Sequence, residues 1–403
     1  MKKLLIIALW SHLFYPIYGQ TNDSFSIQLS EDLEQIYTQE HITGFSVGIV
    51  NQDGTLFQKG YGYADKKTNK KYTEHTVQNI ASISKTFIGV ALLKAQELGE
   101  LKLDDPINQY LSFEVINPHF PEIQITIRQL ATHTSSIKDP PRYEKSGYVL
   151  KDDFGQGKAN RNFQAAYKMM PQSQFLEKIL AKNGAWYKKK NFLKAQPGQT
   201  FEYSNIAAGL AALVLENATG QSFKDFTEQY IFNPLKMANS GWAFEDIDFS
   251  KHSKLYADKD TELALYQLVN YPDGGLITSS ADLGKYLSEL ISGFKGKGKI
   301  LTEESFKELF KPQLTSKNNN ERNESTYNDE YNMGIFMGMS AKGQMGHTGG
   351  DPGVVTHMFF NTETGVGKIL IVNTDIEKEG IKEFIDIWNK LIAFEDKLNA
   401  KSF

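Results

Sequence analysis

Strand-forming sequence lies at the two ends of this chain and helix-forming sequence lies between them. Near the start, "FSVGIVNQDGTLFQKGYGYAD" (Phe45–Asp65) is an apolar run, a turn at Asp53-Gly54 and a second run, which predicts a β-hairpin. Near the end, Gly343–Asp375 predicts three strands joined by Gly-rich and Asn/Thr turns, and Ile381, Phe384, Ile385, Trp388, Leu391 and Ile392 mark a closing amphipathic helix. A short helix is expected from Ser30 to about Glu40. From Leu101 to Ile291 the pattern is mostly helical with long loops. Strands from both ends must share a sheet to be buried, so the expected fold is a split α/β domain, residues 20–100 and 292–403. A mainly α-helical domain, residues 101–291, is inserted into it.

The stretch 137–200 holds Pro140-Pro141, many lysines, and Phe163, Tyr167, Trp186, Tyr187 and Phe192. It reads either as a solvated excursion with a local apolar cluster or as a lid over a site. Ser316–Glu324 is a polar surface loop.

Lys2 and Lys3, then an apolar run from Leu4 to about Phe14, then Gly19, read as a signal peptide over residues 1–19. Pro16 and Gly19 stop that run short of a membrane span, so no stable anchor is expected after processing. The chain has no cysteine, which removes disulfides, thiolate zinc sites and a lipidated cysteine. Export without disulfides suits a bacterial periplasmic or secreted protein. The net charge of −4 gives no electrostatic basis for nucleic-acid binding.

Three features carry chemistry. "GFSVG" (Gly44–Gly48) matches G-x-S-x-G, but the apolar run continues into the Asp53-Gly54 turn. Ser46 is therefore expected mid-strand, where no strand-to-helix elbow can form. Ser-x-x-Lys occurs at Ser82/Lys85, Ser135/Lys138 and Ser292/Lys295. The second runs into Pro140-Pro141 and the third lies in "SGFKGKGK". The first alone opens a helix, predicted over Thr86–Gly99. Residues three apart there share a face, so the Lys85 amine can reach the Ser82 hydroxyl. A serine needs such a base, and a lysine can serve once its pKa falls far below ~10.4. The rival reading is a capping serine and a solvated lysine.

The chain's single Tyr-x-Asn, Tyr203-Ser204-Asn205, opens another helix. A tyrosine hydroxyl can shuttle a proton if nearby ammonium charge lowers its pKa, and the Asn205 amide could hold both Lys85 and a substrate amide. A capping Ser/Asn pair with a core tyrosine is the alternative. "GHTGG" (Gly346–Gly350) falls on a predicted strand whose glycines would let a substrate backbone approach. No ligand set at metal spacing surrounds His347.

Ser-x-x-Lys, Tyr-x-Asn and His-Thr-Gly in this order resemble the penicillin-recognising serine hydrolases, on the side of class C β-lactamases, D-alanyl-D-alanine peptidases and related esterases. "ASISKTFIG", "LATHTSSI" (Leu130–Ile137), "FEYSNIAAGL", "GGLITSSADL" (Gly274–Leu283) and "YNMGIF" (Tyr331–Phe336) are further landmarks, and the likeness covers nearly the whole mature chain. The resemblance implies a β-lactamase-like fold, with an antiparallel sheet flanked by the terminal helices. It implies Ser82 as nucleophile, Lys85 and Tyr203 managing the proton, and an oxyanion hole from the N–H groups of Ser82 and Gly350. Asn205, His347, Thr348, Gly349 and Gly350 would contact a small-molecule, short peptide or ester substrate. An acyl-enzyme would form and be hydrolysed, with no metal or organic cofactor. Class C enzymes have lysine where this chain has His347, which is mostly neutral at neutral pH. The expectation is therefore small amide or ester hydrolysis, as by a D-amino-acid peptidase, carboxypeptidase or esterase. A class C-like β-lactamase and a penicillin-binding sensor without turnover are the alternatives. The oligomeric state is not legible.

Overall fold

The computed structural model describes residues 24–38, 41–152, 163–319, 329–376 and 378–400. The expected signal peptide, residues 153–162 of the expected lid, and most of the polar loop at 316–324 lie outside them.

Among the described residues, eight strands form one antiparallel sheet. They are β1 (Gly44–Asn51), β2 (Gly54–Asp65), β3 (Lys70–Lys71), β4 (Asn332–Met333), β5 (Gly338–Met339), β6 (Gln344–Asp351), β7 (Val354–Asn361) and β8 (Gly367–Val372). Their order is β3-β2-β1-β8-β7-β6-β5-β4. The two ends of the chain meet at its centre, where Val47 of β1 lies opposite Leu370 of β8. All six residues of β8 are buried, because helices cover both faces.

Side-chain alternation sets those faces. Phe45, Val47, Ile49, Leu370 and Val372 point to a core shared with α1 (Ser24–Tyr37) and α5 (Lys378–Ala400). Val50, Met358, Phe360, Ile369 and Ile371 point to a larger core on the other face. That core takes in α2 (Ser84–Glu97), α3 (Asn205–Thr219) and α4 (Ser280–Phe294). The first helix starts earlier than its apolar spacing suggested, at Ser24, and buries Leu29, Leu33 and Ile36. Ser46 sits mid-strand, fully buried and opposite Ile371, so the G-x-S-x-G match is a strand and not an elbow.

The described parts of 137–200 are built into the body of the protein. Ile137, Tyr143, Val149, Phe175, Leu176, Ile179 and Phe192 are buried in the larger core, and Trp186 packs edge-on against Phe175 at 5.8 Å. Of the aromatic residues that suggested a lid, Phe192 is buried and Phe163, Trp186 and Tyr187 are half-buried, while Tyr167 is exposed. No helix among the described residues is long and apolar enough to cross a membrane.

Candidate active site

Ser82 lies in a single 3-10 turn, Ala81–Ile83, that runs directly into α2. Ala81 has φ +50°, a left-handed conformation that costs a non-glycine residue about 1–3 kcal/mol. The turn is held from three sides. The Ile80 N–H donates to the Leu276 carbonyl at 3.0 Å, the Thr356 hydroxyl donates to the Ile80 carbonyl at 2.8 Å, and the Leu276 N–H donates to Ser84 Oγ at 3.1 Å. The strained turn leaves Ser82 partly accessible while Lys85, one turn on, is fully buried.

Lys85 Nζ lies 2.9 Å from Ser82 Oγ and donates to the Asp273 carbonyl at 2.6 Å. Burial holds its ammonium below the ordinary 10.5, while the carboxylates of Asp273, Asp351, Asp139 and Asp329 pull the other way. Lys85 is therefore neither solvated nor a surface charge, and the reading of Ser82 as a cap falls away, since its hydroxyl caps no helix. Of the other two Ser-x-x-Lys matches, Lys138 is exposed beside Glu202 and the Ser292 hydroxyl donates to the Gln52 carbonyl.

Tyr203 completes the group. Its phenol lies near enough to Ser82 for that hydroxyl to favour the phenolate, and Lys85 Nζ lies 5.1 Å from its ring centroid. Burial raises the Tyr203 pKa well above 10. This reverses the expectation that ammonium charge would lower it: desolvation of a phenolate outweighs the nearby amine. Burial thus keeps the proton on Tyr203, while the same burial favours loss of the proton from Lys85.

What positions Tyr203 is Asp139, a residue that belongs to none of the motifs. Its carboxylate accepts from the Ser204 hydroxyl at 2.8 Å, from the Asn205 backbone and side-chain amides at 2.8 Å each, and from the Ile206 N–H at 3.0 Å. A carboxylate at the start of a 15-residue helix also meets the positive end of its dipole. The Asn205 amide was expected to hold Lys85. Its donor goes to Asp139 instead, and the Asp273 carbonyl takes the Lys85 contact. His133, within "LATHTSSI", stacks 4.5 Å from Tyr203 and accepts the Ser204 N–H on Nδ1 at 3.2 Å. Burial holds it well below 6.5, so it is a neutral spacer.

The strand β6 forms the opposite wall. Gly349 faces the nucleophile turn so closely that a Cβ there would lie 2.3 Å from Thr356 Oγ1 and 2.6 Å from the Ile80 carbonyl oxygen. Gly350 has open space instead. Beyond Gly346, β6 has no strand partner on its β5 side among the described residues. The Thr348 N–H points out of that edge, donating to Asp329 Oδ2 at 2.6 Å, and so by alternation does the Gly350 N–H. The Ser82 N–H stands at a helix start, where no helical carbonyl precedes it. Both expected oxyanion donors are thus on the accessible side of the turn and strand.

His347 is buried, with its ring 6.1 Å from that of Tyr203 and Nδ1 3.3 Å from Asp329 Oδ2. Burial lowers its pKa, and the Asp329 charge opposes the shift. The Thr348 hydroxyl was expected to meet substrate, yet it donates to Asp329 at 2.9 Å. Asp329, at the edge of the polar loop, was invisible in the sequence. Asp273 and Asp351 were missed as well. Burial pushes the Asp273 carboxyl up to about 7, opposed by Lys85, and it accepts from Tyr143 at 2.8 Å. The "GGLITSSADL" landmark begins one residue after Asp273 and was the only signal available for it.

A family model described as Beta-lactamase matches residues 29–390. The Staphylococcus aureus protein named flp (strain MW2) is 27% identical over 295 residues, 72% of this chain and 53% of its own length. The chain thus spans about half the length of that curated relative. In fold it is similar to a D-amino acid amidase from Ochrobactrum anthropi SV3 (TM-score 0.69, 19% identity, 94% of this chain and 100% of that one). A β-lactamase/D-alanine carboxypeptidase from Pseudomonas syringae is also similar (TM-score 0.64, 16% identity, 92% and 99%).

Proposed function

The chain belongs to the β-lactamase family of serine hydrolases, and from that premise we propose that it is an exported acyl hydrolase of small amides or esters, of the D-amino-acid peptidase or esterase kind. The observation that carries the reading is the 2.9 Å approach of a fully buried lysine amine to a partly accessible serine hydroxyl. Burial depresses the pKa of this amine and so favours its neutral form, the form that can accept the serine proton.

The reaction follows from the positions. Ser82 Oγ attacks the substrate carbonyl carbon, and its proton passes to Lys85. The carbonyl oxygen becomes an oxyanion between the N–H groups of Ser82 and Gly350, each such donor contributing roughly a hundred- to a thousand-fold in rate. The C–N or C–O bond then breaks, Tyr203 gives its proton to the leaving group and regains one from Lys85. Water hydrolyses the Ser82 ester by the same path in reverse.

The neutral His347 and the negative Asp329 beside it support amide or ester substrates over β-lactams, which carry a carboxylate. Export rests on the residue pattern of 1–19 and is tested by cell fractionation. The activity is tested with p-nitrophenyl acetate: Ser82→Ala should abolish turnover and the acyl adduct seen by mass spectrometry. Unchanged turnover in that variant would refute the reading.

A further inference from the structure

Side chains on one face of β6 follow each other at two-residue steps, so His347, Gly349 and Asp351 face the nucleophile turn together, over about 13 Å. Gly349 is opposite Ala81, with a Cβ there 3.1 Å from that of Ala81. His347 lies toward Tyr203, the side where the leaving group departs. Asp351 lies at the other end of that face, which is the acyl side on the reading that Tyr203 protonates the leaving group. A Cβ placed on Gly274 would lie 3.2 Å from Asp351 Oδ2 and 3.7 Å from the Ala81 carbonyl carbon, which bonds directly to the Ser82 nitrogen. The Asp351 carboxylate thus stands beside the oxyanion side of the nucleophile.

Resting on the acyl-serine reading above, we propose that Asp351 receives the ammonium group of the substrate's acyl half. The substrate class is then amino acids with a free amine, presented as amides, esters or the first residue of a short peptide, in preference to their N-acylated counterparts.

Five observations support this assignment. Asp351 forms no ion pair among the described residues, and its Oδ1 is anchored by the Tyr148 hydroxyl at 2.5 Å, which leaves Oδ2 for a ligand. It is partly exposed, on a strand whose neighbouring Gly350 is open to solvent. Burial raises its carboxyl only to about 6, so at neutral pH it is mostly ionised. An ionised, partly buried carboxylate that feels Lys85 only through space and forms no ion pair is costly to keep, and a bound ammonium relieves that cost. The half-buried rings of Tyr148 and Phe163 pack with Tyr266 and Ala81 beside it, and give an apolar wall for the substrate's side chain. At the leaving-group end the charge has the same sign. Asp329 occupies both Thr348 donors, so a substrate carboxylate there meets a negative oxygen and an uncharged imidazole. The site therefore accepts a cation on the acyl side and rejects an anion on the leaving side.

The test compares phenylalanine p-nitroanilide, in both D and L forms, with its N-acetyl derivative. Wild-type protein shown to turn over p-nitrophenyl acetate is used. The free amine should be favoured in kcat/KM by roughly tenfold or more, mostly through KM, as for a hydrogen bond to a charged group. In Asp351→Asn the ratio of amine to N-acetyl substrate should fall toward one. Tyr148→Phe, which keeps the carboxylate, should retain a preference for the amine. Equal or better turnover of the N-acetyl compound by the wild type overturns the assignment without any variant, and leaves the hydrolase reading intact. A ratio unchanged in a folded Asp351→Asn variant overturns it as well. A wild-type protein that also leaves p-nitrophenyl acetate untouched removes the hydrolase reading, and the assignment with it.

Discussion

Asp139 grips Asn205 twice: the backbone and side-chain amides of Asn205 both donate, at 2.8 Å, to the same carboxylate oxygen. Two residues earlier on that strand of chain is Tyr203, so the grip fixes the proton donor as well as the helix. Asp139→Ala leaves the first turn of α3 without its acceptor. It should cost about 2–3 kcal/mol in urea unfolding and at least tenfold in kcat for an activated ester. A variant with full stability and activity would show that the helix needs no such anchor.

A Lys85 amine that must lose its proton to act makes acylation pH-dependent with a definite sign. Rate should rise with pH as the ammonium loses its proton, at a pH below 10.5 because burial depresses that pKa. Above its own pKa of about 7, the Asp273 carboxylate opposes the depression. Asp273→Asn removes that charge, so the Lys85 ammonium becomes less stable and the rising limb should move to lower pH. Pre-steady-state acylation followed between pH 5 and 9 reads the limb directly, and a move to higher pH would contradict the arrangement.

The two adjacent glycines of β6 should respond differently. A methyl at Gly349 meets Thr356 Oγ1 and the Ile80 carbonyl, so Gly349→Ala must push the nucleophile turn away. An overpacking cost of about 1–3 kcal/mol and a hundredfold or greater fall in kcat are expected. Gly350→Ala adds its methyl to open space and should fold with wild-type stability by thermal melting.

Restoring a lysine at position 347 should do little alone. Asp329 Oδ2, 3.3 Å from the present imidazole, would neutralise the new ammonium. His347→Lys combined with Asp329→Ser should raise the second-order rate of nitrocefin acylation at least about tenfold over His347→Lys alone. Equal rates would mean that Asp329 does not govern anion recognition.

Away from the site, Lys368 on β8 and Glu395 on α5 form a buried ion pair, with Glu395 also accepting from Thr364 at 2.6 Å. Glu395→Gln strands a buried ammonium and should cost about 3–5 kcal/mol in denaturant unfolding. Lys368→Met with Glu395→Leu should recover most of that.

Much of the architecture is written in local pattern. Period-two apolar runs at the ends of the chain and an amphipathic last helix are enough to expect one sheet closed from both ends, because exposed apolar faces have nowhere else to go. Ser82 and Lys85 meet for an equally local reason: three residues apart at a helix start share a face wherever the helix is placed. The pairing of β1 with β8 could not be read in register, since each strand alone fits several partners. The segment 137–200 could be read in two ways for a related reason. Composition shows that it is basic and aromatic, and only packing shows which way the rings point.

The chain's sequence therefore determined the identities and local spacing of the groups that can do chemistry, because helix and strand periods are properties of neighbours. Tertiary structure alone decided their chemical state. Asp139, Asp273, Asp329 and Asp351 surround one buried amine from four separate stretches of chain. Proton affinity depends on burial and on the distance to such charges, and residues far apart in sequence acquire those distances only by folding.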